Sequence, residues 1–499
     1  MLIGIVLFVG ASLDGKNSAW LRSFLPSRHA GPTADRDDKH GIAAFLPASS
    51  YLTQAPRHRL SATGEMRILL ASETYRPDLN GASRFAQCLA GALSARGHDV
   101  HVLCPAADRG VRVERDGRLT VHRIPSLSIP GYAAVRCCAA PATRPRIGAT
   151  LREIAPDVVH VQNHFFIGRA AIGAARRLDI PVVATNHFVP ENFLVYLPRL
   201  AMTLRGRVER LLWRDLARVY GGAATITAPS PVAAELLRAA GLVPVGVISN
   251  GVDLDTFHPG RSATAARRRY GISAAPTYMH VGRLDREKRV QDLIRALALV
   301  RQSIDAQLVI VGDGRMRPAL ERLASREGVQ KHTIFTGPAP DADLPGLYAA
   351  CDVFCAAGTA ELQSIVTLEA MAAGRPVVAA DALALPCLVR DGVNGYTFPP
   401  GDAAALADRL TRLLGDGRAC AEMGRRGREA AVSHAHGRVV EAFERLYADV
   451  AARSSPGEAL PQQTELLAAA PPHVAAAGAR AVSEDVQGLA GQNVACADE

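Results

Sequence analysis

Zinc-type cysteine spacing, dinucleotide fingerprints and bilayer-length apolar runs are all missing from this 499-residue chain. Its nine cysteines form no C-x-x-C pair, so neither a zinc site nor a disulfide framework is expected. Cys351 and Cys355 fall in an apolar strand-like run and Cys88 in a helical pattern, which suits buried thiols in a reducing compartment. No G-x-G-x-x-G follows a strand-like run, which disfavours a dehydrogenase. No segment reaches the roughly 20 apolar residues that a bilayer-spanning helix needs. Residues 1–11 are apolar, but too short and without the basic start of a secretory leader. A cytoplasmic chain, peripheral at most on the inner face of a membrane, is therefore expected. No metal-ligand cluster stands out, and no metal is expected.

Aromatic residues are scarce at 5%, whereas hydrophobic residues make up 48% and are dominated by alanine, valine and leucine. That is enough for sizeable cores, and the length suggests two or three domains. The net charge of +9 favours acidic partners such as nucleotide phosphates or anionic lipids. Arginine far outnumbers lysine, which genomic base composition can cause in an alanine-rich chain. Nucleic-acid binding is therefore not read from charge.

Residues 1–65 show mixed charge without a sustained period and read as a poorly ordered extension or an over-called gene start. At Met66 the character changes to a buried-strand run, MRILLASE. Strand and helix signals then alternate. Strands are expected at 68–71, 100–103, 158–161, 182–184, 223–228 and 245–248, with a helix over 85–96. After Asn250-Gly251 the pattern restarts, with strands at 278–281, 308–311, 334–336, 353–356, 376–379 and 396–398. Helices are expected over 290–300 and from about 316. This gives two α/β units, 66–245 and 246–430. The tail, 453–499, reads as disordered. Ligands of such sheets bind beyond the carboxyl ends of the strands, so a cleft between two facing units is the expected site.

The most informative stretch is ELQSIVTLEAMAAG, residues 361–374. Glu361 and Glu369 are eight residues apart, and eight helical steps return to within about 80° of the starting direction. Both carboxylates can face one cleft and accept hydrogen bonds from hydroxyl-rich ligands. Two solvated glutamates at a helix start would show the same spacing. Gly81, between a strand and a helix, lets backbone approach a phosphate. Gly282-Arg283 and Lys288 follow the first strand of the second unit and can reach a diphosphate whose charge grows as it leaves. The loop VGDG at 311–314, with Gly312, can hold a nucleotide through its backbone. His160, Gln162, Asn163 and His164 cluster after one strand and Asn186-His187 after the next, which suits hydroxyl recognition or proton handling. Arg207, Arg210, Arg214 and Arg218 recur at helical spacing with Leu204, Val208, Leu211 and Leu212 on the apolar side. They read as a basic amphipathic helix for an anionic membrane surface, or as a solvated face paired with Glu209 and Asp215. Phe188, Phe193, Leu194 and Tyr196 suit an acyl groove or a core equally.

Several motifs occur in order: ETYRPDLNGAS, PDVVHVQNH, ISNGVDLDTFHP, HVGRLDREKR, VIVGDG and ELQSIVTLEAMAAGRPVV. Together they resemble the retaining, nucleotide-sugar-dependent glycosyltransferases of family four, from about residue 66 to 452. The resemblance implies a GT-B fold, two facing Rossmann-like domains with parallel sheets and a cleft between them. The first domain would hold the acceptor and the second the nucleotide sugar, and helices at 431–452 would cross back to the first. By the same resemblance Glu361 contacts donor-sugar hydroxyls and Glu369 the ribose. Arg283, Lys288 and the Gly81 amide would stabilise the leaving diphosphate. Gly282, Gly312 and the backbone of Ser364, Ile365 and Val366 would line the nucleotide site. Gln162, Asn163, Asn186 and His187 would face the acceptor.

There are departures. Gln363-Ser364 stands where many members have Phe-Gly, which resembles the subgroup making glycosyl-diacylglycerols or phosphatidylinositol mannosides. Cys387 stands where many have glutamate, which leaves donor choice open. Gln162 stands where the family has its acceptor-side histidine, and His164, two residues on, is taken as the catalytic-site residue. The expected reaction is a front-face transfer of a hexose, mannose or glucose, from GDP-mannose or a UDP-hexose to a hydroxyl of a glycolipid, without a cofactor. A nucleotide-sugar epimerase and a non-catalytic sugar-nucleotide-binding module are the alternatives.

Overall fold

The computed structural model describes residues 64–453 apart from 79, 107–109, 130–131, 139–142 and 191–204. The expected extension (but for residues 64 and 65), the tail (but for residue 453) and the groove residues Phe193, Leu194 and Tyr196 lie outside the described residues, as does Leu204.

The first sheet is built from β1 (Arg67–Ala71), β2 (Asp99–Pro105), β3 (Arg112–Asp116) and β4 (Leu119–Ile124), then β7 (Val158–Val161), β8 (Val182–Thr185), β9 (Thr225–Ala228) and β10 (Val245–Val247). Between them, β5 (Leu127–Ile129) and β6 (Tyr132–Cys137) form a separate antiparallel pair. The strand order is β10-β9-β8-β7-β1-β2-β4-β3. β1, β7, β8 and β9 are almost wholly buried, as a parallel sheet covered on both faces requires. The sheet departs from the expected all-parallel form at β3, which runs antiparallel to β4. β3 (RVERD) is exposed along its whole length. Its charges suit an edge strand and give no apolar run by which to recognise one.

The second sheet contains β11 (Thr277–Val281), β12 (Gln307–Val311), β13 (Thr333–Gly337), β14 (Val353–Ala356), β15 (Val377–Ala380) and β16 (Gly395–Phe398), ordered β13-β12-β11-β14-β15-β16. In each sheet the chain winds outward from the first strand in both directions. Successive crossovers thus diverge at β1/β7 and at β11/β14, leaving a crevice beyond those strands' carboxyl ends.

Six helices position the site: α1 (Gly81–Ala95), α2 (Phe166–Arg177), α3 (Arg205–Tyr220), α4 (Val290–Val300), α5 (Ile365–Ala372) and α6 (His436–Ala452). α1 begins four residues earlier than its apolar pattern indicates, because the Asn80 side chain accepts a hydrogen bond from Ser83 N at 2.9 Å and caps it. Gly81 is therefore the first helical residue rather than part of a loop. α2 starts close against β7: a Cβ at Gly168 would stand 1.7 Å from the Asn163 carbonyl oxygen.

The chain enters the second domain through residues 248–252 and leaves it through 432–436. The two crossings are hydrogen-bonded, Val252 N to His434 O at 2.8 Å and His436 N to Val252 O at 3.0 Å. α6 then lies on the first domain, where Val439, Val440, Phe443, Tyr447 and Val450 join a core with Ile68, Leu70, Phe85 and Leu89. Tyr447 Oη meets His160 Nδ1 at 2.6 Å inside that core.

Candidate active site

The carboxyl ends of β11 and β14 bring the second domain's charged residues together. The turns after β11 and β12 touch, since a Cβ at Gly312 would stand 1.9 Å from the Gly282 carbonyl oxygen. Glycine is needed there for that close approach. Both amides are engaged within the domain, Gly282 N with Val311 O and Gly312 N with Gly337 O, each at 2.9 Å. These glycines shape the strand ends and do not direct their N–H groups outward. The Arg283 guanidinium is held by Asp285 and by Glu287, the latter at 2.9 Å. Lys288 sits on a 3-10 turn that ends at Arg289, just before α4. Its Nζ pairs with Glu361 Oε1. Thr359 N donates to Glu287 O at 3.1 Å and so ties the Lys288 turn to the Glu361 loop. The two side chains are 22% and 17% exposed, so the pair is lined by protein yet reachable. His280 is buried nearby, and burial lowers its pKa to about 4, which keeps the imidazole neutral beside Lys288.

Glu369 lies on α5, whose start is capped by the Ser364 hydroxyl accepting from Thr367 N at 3.4 Å. The side chain is 1% exposed. Tyr348 Oη donates to its Oε2 at 2.8 Å, and Arg84 Nη2 of α1 lies 3.4 Å from its Oε1. Burial raises the Glu369 pKa, against the pull of Arg84 and Tyr348. α1 faces α5 directly: a Cβ at Gly81 would stand 3.7 Å from Ile365 Cδ1.

Residues 360–365 act as a hub between the domains. Ala360 and Leu362 pack into the first-domain core that holds Phe165 and Phe188, and Ile365 packs on the core across the sheet. Gln363 Oε1 accepts from Asn250 N at 2.7 Å in the first crossing. Gln363, the departure noted in the sequence, thus anchors the loop to the domain junction. Val366 packs on the second-domain core, and its carbonyl accepts from Tyr348 Oη at 3.1 Å. Cys387 is half-buried, and the backbone N–H of Val232 in the first domain reaches its sulfur.

Beyond β1, β7 and β8 the first domain gathers buried polar atoms without partners among the described residues. They are Glu73 Oε2, both side-chain atoms of Gln162, both ring nitrogens of His164 and His187 Nε2. Most buried polar groups are hydrogen-bonded, so this concentration marks a place where a hydroxyl-rich ligand would be satisfied. His164 lies fully buried among Phe165, Phe188 and Tyr220, with ring centroids 4.3, 5.2 and 6.0 Å away. Burial lowers its pKa to about 3, so it is a neutral ring. His187 packs 4.9 Å from Phe85 of α1, with its pKa lowered to about 4 by burial. Asn163 is buried, and Asn186 is turned onto its own loop, its Nδ2 donating to Phe188 O at 2.9 Å.

Glu73, Arg84, Tyr348 and His280 were not singled out in the sequence. Glu73 is visible only in hindsight, as the first residue of the quoted ETYRPDLNGAS. Its Oε1 accepts from Ile167 N at 2.7 Å and Gly168 N at 3.1 Å and anchors α2. Burial raises its pKa from 4.5 to about 7, against those two N–H groups and Arg169. A raised folded pKa means that its stabilising share is complete below about pH 4.5 and is lost as pH rises through about 7. Glu73→Gln, neutral throughout and able to keep both N–H bonds, should gain on the native chain by on the order of 3 kcal/mol between about pH 4 and pH 8. Denaturant midpoints at the two pH values check this, and a pH-independent difference would contradict it.

On α3, Arg207, Arg210, Arg214 and Arg218 are all exposed. Asp215 pairs with Arg169 of α2 instead of neutralising them. Leu211, expected on the apolar side, is 37% exposed among these arginines, while Leu212, Leu216 and Val219 are buried. No helix among the described residues is long and apolar enough to cross a membrane.

The domains match two family models in succession, Glycosyltransferase Family 4 over residues 79–256 and Glycosyl transferases group 1 over 275–416. The GDP-mannose-dependent alpha-mannosyltransferase of Mycolicibacterium smegmatis is 32% identical over 365 residues, covering 71% of this chain and 90% of that protein. The chain belongs to glycosyltransferase family 4. The alpha-monoglucosyldiacylglycerol synthase of Streptococcus pneumoniae is 29% identical to this glycosyltransferase, covering 67% of it and 75% of the relative. Among solved structures, sucrose-phosphate synthase from Thermosynechococcus elongatus superimposes with a TM-score of 0.64 at 21% identity, covering 77% of this chain and 99% of that one. The glycosyltransferase WaaG, involved in lipopolysaccharide biosynthesis, does so with 0.59 at 20% identity, covering 76% and 99%. The two-domain arrangement of this glycosyltransferase is the GT-B fold.

Proposed function

We propose that this glycosyltransferase moves mannose from GDP-mannose to a hydroxyl of a glycolipid, with retention of configuration. The observation that carries the reading is the Lys288–Glu361 pair at the β11/β14 crevice, joined through Ala360 and Leu362 to the first-domain core beside the buried polar atoms that lack partners among the described residues. The relatives' names supply the substrate classes: GDP-mannose-dependent alpha-mannosyltransferase, phosphatidylinositol monomannoside mannosyltransferase and alpha-monoglucosyldiacylglycerol synthase. Mannose is α-linked in GDP-mannose, so an α-linked product means retention.

In this reading Glu361 accepts hydrogen bonds from donor-sugar hydroxyls and Glu369 from the ribose. Lys288, Arg283 and the first N–H groups of α1 at Gly81 meet the leaving diphosphate, whose developing charge they stabilise. The backbone of Ser364, Ile365 and Val366 borders the ribose and phosphates. Gly282 and Gly312 bring the β11 and β12 ends close enough to form the floor. The acceptor hydroxyl attacks from the face that the diphosphate leaves, and a diphosphate oxygen takes its proton. His164 and His187, both neutral, orient the acceptor with Gln162, Asn163 and Asn186 and do not need to act as bases.

Thermal-shift titration with GDP, UDP and their sugars tests donor choice. Stabilisation by GDP and GDP-mannose but not by UDP is expected, and stabilisation by UDP-glucose alone would replace mannose by glucose. The exposed α3 arginines would rest the enzyme on an anionic membrane. Co-sedimentation with vesicles of anionic lipid should fall at least about tenfold when Arg207, Arg210, Arg214 and Arg218 become glutamine, at roughly 1 kcal/mol per basic residue. Unchanged co-sedimentation would remove these residues from the membrane contact.

A further inference from the structure

Arg84 is a first-domain residue whose guanidinium lies in the second domain. Its Nη2 is 3.4 Å from Glu369 Oε1, its Nη1 is 3.5 Å from Asp341 Oδ1, and the group sits 5.9 Å from the centre of the Phe257 ring. The first turn of α1 holds no acidic residue to compete for it. Beside it, Ile365 packs on the first-domain core that contains Phe85. Helix α1 thus covers α5, and Glu369 is sealed. Tyr348 occupies one carboxylate oxygen from within the domain, and Arg84 occupies the other from across the cleft.

We propose that Arg84 is an interdomain bolt on the nucleotide site: a ribose reaches Glu369 Oε1 only by displacing this guanidinium, so Arg84 sets the rate at which donor enters. The proposal rests on the reading of Glu369 as the ribose carboxylate. Its chemistry is an exchange of partners on one oxygen. Arg84 itself is 30% exposed and Glu369 keeps its Tyr348 hydrogen bond without it, so its loss should change rates modestly and not by orders of magnitude.

The test is stopped-flow binding of GDP and UDP, joined to hydrogen exchange over residues 365–372. Arg84→Met keeps an unbranched side-chain stem and removes the charge. It should raise the nucleotide association rate constant about threefold to tenfold and speed exchange in α5. Arg84→Lys, which cannot fork between two carboxylates, should fall between Met and the native chain. Unchanged association and unchanged exchange in Arg84→Met would overturn the bolt. Glu369→Gln separates the two layers. If it leaves the nucleotide dissociation constant unchanged, the ribose reading fails and the proposal with it. If it weakens binding while Arg84→Met leaves association unchanged, the bolt alone fails.

Discussion

Lys288→Ala is expected to lower kcat for sugar transfer by about 10²–10³-fold, the range seen when a positioned donor is removed from a developing negative charge. The proposed role of Lys288 is to meet the diphosphate as it leaves, when that charge is greatest. The fall should therefore appear mainly in kcat, with a smaller change in KM. The partner Glu361 is left without its cation, and Thr359 still ties its loop to Glu287. Arg283→Ala should act in the same direction but less, because Asp285 and Glu287 already share its charge. Steady-state kinetics at saturating acceptor check both. Transfer within about threefold of native for Lys288→Ala would remove it from the leaving-group site.

Glu361→Gln is the second large effect. The amide is nearly isosteric, but it loses the charge that pairs with Lys288 and offers one acceptor oxygen to the sugar in place of two. A fall of about 10²-fold in kcat/KM is expected, with weakened binding of the nucleotide sugar and little change in binding of the bare nucleoside diphosphate. That contrast assigns Glu361 to the sugar and not to the nucleotide. Equal loss of affinity for both would place it on the nucleotide instead. Because Lys288 and Glu361 touch, the double variant should lose less than the product of the two single losses.

Much of this was legible in the sequence, for physical reasons. Fully buried parallel strands such as β1 and β14 appear as short apolar runs, and the carboxyl ends of such runs are where loops carry ligands. Lys288 and Glu361 follow two such ends and meet in space. The edge strand β3 was not legible, because its charged, exposed residues carry neither alternation nor an apolar run. Nor was the early start of α1, where one Asn80 hydrogen bond outweighs the apolar pattern in deciding the first residue. Contacts between domains were hidden altogether. Arg84 falls just before the expected helix, and nothing in its neighbours points to Glu369, 285 residues away in the chain. In the sequence Gln363 shows only a likeness to the glycolipid-making subgroup, and it takes the structure to show its amide anchoring the loop to Asn250 at the domain junction.

The most direct measurement is the anomeric configuration of the product. The chain is incubated with GDP-mannose labelled at the anomeric carbon and with vesicles carrying a mannosylated phosphatidylinositol or a glucosyl-diacylglycerol, and the lipid fraction is read by NMR. An α-mannosyl lipid that forms with the native chain and falls about 10²–10³-fold with Lys288→Ala is expected. A β-linked product, or no labelled lipid with either acceptor while GDP is released to water at the native rate, would contradict it.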